Sequence, residues 1–407
     1  MTLHWKRLAA LCFALTFTPG ALSAQTPDFT PKQGIDPSLM AKARLGDAAA
    51  EFQLSVIYRK GLGVPKDQAL SVSWLRKAAE QNIPNAQYNL GLCYELGQGI
   101  PQNDAQAAAW YAKAAQNGHP EAQRHLGIFY ATCRGVQKDE RQAFELLGAS
   151  ATGGEPFAQF ELGRAYATGH HFKQDKAEAA IWYRKSADQG NADAQHNLGV
   201  IYENGDGIPK DLAQAVELYR KAADQGHAPS QFALGLAYAH GWGVAKDYTQ
   251  AIIWYTKASE QGNTGAMDNL ALLYAHGQGV PKDEAEAESW FLKAAEAGAV
   301  DAQFQIAMDY DGGYHGLKKD KALATAWFRK AAEQGYAPAQ FDLAMEIHEQ
   351  DDETYFWLSL AVPNLEGDFQ KKAAFFRDVA AAALKPGQRT EIDARVNQWQ
   401  TDHKNHQ

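Results

Sequence analysis

Eight tyrosines recur at intervals of 36 residues, at Tyr58, Tyr94, Tyr130, Tyr166, Tyr202, Tyr238, Tyr274 and Tyr310, and nothing else in the chain restricts its fold as strongly. Four positions before each stands Leu54, Leu90, Leu126, Leu162, Leu198, Leu234, Leu270 or Ile306. An apolar pair at that spacing lies on one face of a helix, so each period opens with a helix whose core stripe is renewed from unit to unit.

A turn shortly after each tyrosine ends that helix. The runs Gly61-Leu62-Gly63-Val64-Pro65-Lys66-Asp67, Gly205-Asp206-Gly207-Ile208-Pro209-Lys210-Asp211 and Gly277-Gln278-Gly279-Val280-Pro281-Lys282-Asp283 are nearly identical. Glycine supplies a left-handed cap, proline stops the helix from continuing, and the aspartate is placed to cap the next one. That second helix is marked by Trp110-Tyr111, Trp182-Tyr183, Trp254-Tyr255, Trp290-Phe291 and Trp327-Phe328, with alanines after it such as Ala114-Ala115 and Ala294-Ala295. Large rings fill the space between helices and alanines permit close approach.

One helical hairpin cannot bury its own apolar face, so hairpins repeating at this period specify a stack. The expectation is an all-α solenoid of helix-turn-helix repeats. Eight full units run from about residue 46 to 335, and a ninth, one residue out of phase, starts at Pro338-Ala339-Gln340 and reaches Ile347. Tyr355-Phe356-Trp357 then opens a shortened second helix, and helices over 367–384 and from Pro386-Gly387 to about Gln400 complete a cap. A polar outer face is expected of such a cap, because an open end exposes apolar surface.

Ahead of the array, Lys6 and Arg7 precede an apolar run from Leu8 to Phe17, and Pro19-Gly20 and the small residues Ala21, Ser23 and Ala24 come next. This is the layout of a secretory signal peptide with cleavage after Ser23 or Ala24, and its core is too short to span a bilayer. The chain thus divides into a signal segment 1–24, a leader 25–44, a repeat array 45–350 and a helical cap 351–407. Export points to the periplasm, with no membrane insertion of the mature chain. The formal net charge is −9, and loss of the two signal cations leaves the remainder more acidic, which argues against nucleic acid and anionic lipid as partners. Cys93 and Cys133 could pair in an oxidising compartment or remain two free thiols.

The combination Ala-Gln-x-x-Leu-Gly-x-x-Tyr, a Gly-x-Gly turn, then Trp-Tyr and Lys-Ala-Ala resembles the Sel-one-like repeat, a relative of the tetratricopeptide repeat. The match is closest over Ala86 to Gln116 and Ala194 to Gly226, and Phe356-Trp357-Leu358-Ser359-Leu360-Ala361 is similar to the usual ending of bacterial members. The resemblance implies a right-handed superhelix whose first helices line a concave surface, and a monomeric, non-enzymatic role as adaptor, scaffold or regulator through protein binding. It also implies a narrower possibility, immunity-type neutralisation of a secreted effector such as a phospholipase. Two units depart from the pattern. The third has Leu146-Leu147 for the aromatic pair and the turn Ala131-Thr132-Cys133-Arg134-Gly135; the fourth has the turn Gly169-His170-His171-Phe172.

The helical wheel gives candidate partner-binding positions. The residue before each repeat leucine lies about 100° round from it and should project away from the hairpin core: Asn89, His125, Glu161, Asn197, Ala233, Asn269, Gln305 and Asp342. All but Ala233 are polar and they vary between units, as a surface that reads one ligand should. One position earlier, Tyr88, Phe160, Phe232, Phe304 and Phe341 are expected to pack between repeats, with any exposed ring a binding anchor.

Catalytic and cofactor motifs are missing from the sequence. No Ser-x-x-Lys, Lys-Thr-Gly, His-Glu-x-x-His or Gly-x-Ser-x-Gly occurs, and the Gly-x-Gly turns join helices, without the strand a dinucleotide site needs. His240 and His276 occupy equivalent positions, but successive hairpins stand roughly 8–10 Å apart, too far for zinc ligands. No cofactor or metal is expected. A small-ligand binder or hydrolase acting on β-lactam or cell-wall compounds, and a structural envelope component, are the alternative readings.

Overall fold

A computed structural model describes residues 34–170, 173–314, 317–385 and 387–404. The signal segment and the first part of the leader fall outside the described residues, as do His171 and Phe172. Two compact units divide between Lys210 and Asp211, and every described element of regular structure is helical.

Unit one opens with α1 (Pro37–Arg44), inside the segment read as leader, and continues with the hairpins α2 (Ala48–Lys60)/α3 (Gln68–Glu80), α4 (Pro84–Leu96)/α5 (Asp104–Gln116), α6 (Pro120–Thr132)/α7 (Glu140–Thr152) and α8 (Pro156–Thr168)/α9 (Lys176–Asp188), then α10 (Ala192–Asn204). Unit two comprises α11 (Leu212–Asp224), the hairpins α12 (Ala228–His240)/α13 (Tyr248–Ser259), α14 (Thr264–His276)/α15 (Glu284–Glu296), α16 (Val300–Gly312)/α17 (Lys321–Glu333) and α18 (Ala337–Glu346)/α19 (Asp351–Ala361), a 3-10 turn at Val362–Asn364, and α20 (Gly367–Ala383) and α21 (Gln388–Lys404). The expected array of paired helices is therefore present, and the ninth hairpin is complete.

The turn residues act as their chemistry dictates. Asp67, Asp139 and Asp283 each accept a hydrogen bond from the amide three residues on, capping the second helix. Gly61, Gly97, Gly205 and Gly241 end first helices in the left-handed conformation. The turn's second glycine answers a different need: a Cβ on Gly243 would press into the backbone carbonyl of Leu212, which no rotation relieves.

The glutamine of the Ala-Gln pair joins one repeat to the next. Gln87, Gln159, Gln231 and Gln303 donate to the carbonyls of Ala79, Ala151, Ala223 and Ala295 at 3.0–3.2 Å, adding a second hydrogen bond to carbonyls that already accept from the amides of Asn82, Gly154, Gly226 and Gly298. The repeat tyrosine serves the same joint, for Arg76 and Arg220 donate to the hydroxyls of Tyr94 and Tyr238 at 2.9 and 2.6 Å. Inside the second helices that carry the repeat tryptophan a lysine lies over the ring three residues before it, as in Lys257 on Trp254 at 4.1 Å.

At the C-terminal end, α21 covers α19 through a Tyr355–Asp393 hydrogen bond of 2.8 Å and an Arg395–Glu353 pair of 2.9 Å. The expectation of a polar outer face fails on α20. It packs through the small residues Ala373 and Ala380, while Phe369, Phe375, Phe376 and Val379 are exposed.

Both cysteines are free thiols, Cys93 half-buried and Cys133 exposed. Cys133 caps α6 with φ +59° where α2, α4, α8, α10, α12, α14 and α16 have glycine. A side chain in that region costs about 1–2 kcal/mol, part of which glycine's extra unfolded-state freedom offsets. Cys133→Gly is accordingly expected to stabilise unit one by up to about 1 kcal/mol in chemical denaturation; a loss of stability would contradict this reading of the cap.

Candidate partner-binding face

In unit one the first helices carry a connected polar network centred on Glu95, in the last turn of α4. Its Oε2 accepts from the Tyr111 hydroxyl at 2.5 Å and lies 3.2 Å from His125 Nδ1, while Oε1 accepts from Arg134 at 2.9 Å. Arg134 also forks onto Asp104 at 2.9 and 3.1 Å. Burial alone would raise the Glu95 pKa, but the hydrogen bonds from His125 and Tyr111 and the charges around it outweigh that and hold it at about 2.

The network runs on through α6 to α8. His125 Nε2 lies 3.3 Å from the Tyr88 hydroxyl and 3.2 Å from Arg124, and Arg124 pairs with Glu155 at 3.2 Å. Glu155 in turn caps α8 by accepting from the Ala158 amide at 2.5 Å. Burial, reinforced by the Arg124 charge, pushes the His125 pKa down and keeps the ring neutral. A neutral ring protonated on Nδ1 donates to Glu95 and accepts at Nε2, so both nitrogens are committed to holding neighbouring first helices together.

The seven predicted contact positions divide unevenly. His125 and Glu161 are buried, each only 8% exposed, which corrects the expectation that this position projects outward. Glu161 is paired with Arg164. The helical wheel considers one helix alone, whereas the position beside the repeat leucine faces the adjoining first helix. Asn89, Asn197, Asn269, Gln305 and Asp342 are half-buried. Asn89 and Asn269 donate to the carbonyls of Asn85 and Gly265 at 2.6 and 2.7 Å, Asn197 hydrogen-bonds with Tyr183, and Gln305 donates to Asp309 at 3.0 Å. Burial, then the charges of Asp311 and Glu346, raises Asp342 to about 6.

The earlier aromatic position packs inside its own hairpin: Phe160 on Tyr183, Phe232 on Tyr255 and Phe304 on Phe328, with centroids 5.7–5.9 Å apart. Phe304 also meets Tyr336 of the next repeat at 5.2 Å. Within the repeats the exposed rings stand in the turns instead, Trp242 and Tyr314 being 43% and 58% exposed. His240 stacks on Trp242 with centroids 4.6 Å apart. Among the described residues no group of three or more His, Cys, Asp or Glu side chains could hold a metal ion, and no helix is long and apolar enough to cross a membrane.

Stacked hairpins with polar first-helix faces define a helical-repeat interaction protein. The chain belongs to the Sel1 repeat family, whose model matches at residues 48–83, 84–119, 120–155, 156–191, 192–227, 228–263, 264–298 and 300–336. Among solved structures it is similar to a protective antigen of uropathogenic Escherichia coli with an SLR fold, at 30% identity and TM-score 0.53 over 90% of this chain and 94% of that one. A Sel1 repeat protein from Oxalobacter formigenes gives 28% identity and TM-score 0.55 over 82% and 97%. An immunity protein of Pseudomonas aeruginosa, at 21% identity and TM-score 0.29 over 53% and 82%, is too remote to bear on function. No curated protein matches the chain.

Proposed function

We propose that this chain is an exported, non-enzymatic binding protein of the periplasm that engages a partner protein on its first-helix face and neutralises a secreted effector enzyme, such as a phospholipase. The observation that supports it is the polar, half-buried register Asn269, Gln305 and Asp342 on the successive first helices α14, α16 and α18 of unit two, with Asn89 and Asn197 at the same register in unit one. Within unit two such a register offers contacts from three neighbouring repeats, and small differences between repeats give specificity. The export half of the proposal rests on Lys6, Arg7 and the apolar run after them.

Affinity purification of the tagged protein from its own envelope fraction tests both halves. The expected result is a mature chain beginning near Gln25 and one secreted enzyme at equal stoichiometry whose activity falls on binding. Several envelope proteins, or a complex with activity intact, would make the protein an adaptor. An eluate with no stoichiometric partner would overturn the reading.

A further inference from the structure

The first helices of the two units differ in charge. Those of unit two, α12, α14, α16 and α18, carry six carboxylates (Asp268, Asp301, Asp309, Asp311, Asp342 and Glu346) and no lysine or arginine. Those of unit one carry six carboxylates as well (Glu51, Glu95, Glu121, Glu161, Asp193 and Glu203) but offset them with Arg59, Lys60, Arg124 and Arg164.

The same helices of unit two present an apolar row. Leu236, Leu272, Met308 and Met345 occupy one register of successive repeats; Leu272 and Met308 are exposed, at 46% and 37%, and Leu236 and Met345 are half-buried. In unit one, Leu92 and Ile128 at that register are buried. Trp242 and Tyr314, both exposed, stand in the turns that end α12 and α16.

The carboxylates flank the row. Toward the N-terminal ends of α14 and α16, Asp268 is raised to about 6 by burial and then by the charge of Asp301, and one Asp268 oxygen is buried with no hydrogen-bond partner. Toward the other end, Asp311 and Glu346 act on Asp342. The Asp301 side chain meets the Tyr336 hydroxyl, and Lys321, from α17, reaches Glu346 at 3.4 Å. Like charges held together around exposed leucine and methionine repel anionic lipid and nucleic acid, and their repulsion is relieved by cations.

We propose that the first-helix face of unit two receives a basic amphipathic segment of a protein partner, with its apolar side over Leu272 and Met308 and its lysines or arginines toward Asp268, Asp301 and Asp342. This rests on the reading of the chain as a protein-binding solenoid and names the chemistry of its partner. Methionine and leucine accept varied apolar side chains, so the carboxylates set the selectivity.

The probe is an 18-residue amphipathic helical peptide of leucine and lysine, with a leucine and glutamate counterpart, titrated by fluorescence anisotropy against the full-length mature chain. The lysine peptide is expected to bind, more weakly as salt rises, and the glutamate peptide is not. The variant Asp268→Asn/Asp301→Asn/Asp342→Asn should lose at least tenfold in affinity and Leu272→Ser/Met308→Ser a similar factor. A charge-matched control, Glu80→Gln/Asp188→Asn/Asp224→Asn, changes exposed carboxylates on second helices and should stay within twofold. Equal losses in the control and the first-helix acid variant, or equal binding of both peptides, would overturn the proposal. Retention of the co-purifying natural partner by the acid variant at the wild-type level would also overturn it while leaving protein binding intact; no partner with either chain would overturn the underlying reading instead.

Discussion

Tyr255→Ala is expected to remove roughly 3–5 kcal/mol from the stability of unit two, the range for emptying a fully buried aromatic site. The ring is 0% exposed. It lies against Gly235, where a Cβ would come within 2.5 Å of the ring carbons, and against Phe232, with centroids 5.9 Å apart. Deleting the ring leaves a cavity where it fills the space between α12 and α13, which Gly235 has no side chain to refill. Tyr255→Phe separates ring from hydroxyl: that hydroxyl is buried with no hydrogen-bond partner, so phenylalanine should be neutral or slightly stabilising. Urea unfolding followed by tryptophan fluorescence measures both. A loss below about 1 kcal/mol in Tyr255→Ala would mean that the hairpin repacks and that its glycine-tyrosine contact is not a structural joint.

Acid should act on unit one through Glu95. The folded carboxyl titrates at about 2, against an ordinary value of 4.5. Its contribution is therefore complete above pH 4.5 and is lost as the pH falls toward 2, a difference of roughly 3 kcal/mol. His125, with its pKa lowered by burial, works in the same direction, since the unfolded chain takes up that proton more readily as the pH falls below 6.5. Glu155 and Glu161 oppose the trend, because burial raises both, so the wild-type profile alone is not diagnostic. Glu95→Gln isolates the effect of this one carboxylate. At pH 7 it should cost about 3 kcal/mol, because Arg134 and His125 lose a buried anion, and the cost should shrink steadily between pH 4.5 and 2. A cost that does not change across that interval would show that Glu95 is not the anchor of the network.

The repeat was fully legible in the sequence because its determinants are local. Asp67, Asp139 and Asp283 cap helices three residues away, and Gly61, Gly97 and Gly241 close turns by their own backbone freedom. The features that the sequence concealed depend on neighbours a repeat or more away. His125 and Glu161 share a register with Asn89 and Asn269, yet they are buried, because Glu95, Arg134 and Arg164 are present to receive them. A wheel drawn for one helix contains no such neighbours. The visible sign of the network was the irregular third turn: in Cys133-Arg134-Gly135 the middle residue is an arginine, where no other turn has a lysine or arginine, and it reaches back to Glu95 and Asp104. Glu95 and Asp104 carried no such mark, being ordinary charged residues in otherwise regular repeats.

Site-specific photo-crosslinking in the native host reads out which face a partner occupies, with a photoreactive amino acid placed at Asn269 or Gln305 on first helices and, for comparison, at Lys113 or Lys257 on second helices. One discrete crosslinked species is expected from the first-helix positions and none from the second-helix positions. Crosslinks from Lys113 and Lys257 alone would contradict binding on the first-helix face, and would place the partner on the opposite side of the hairpins.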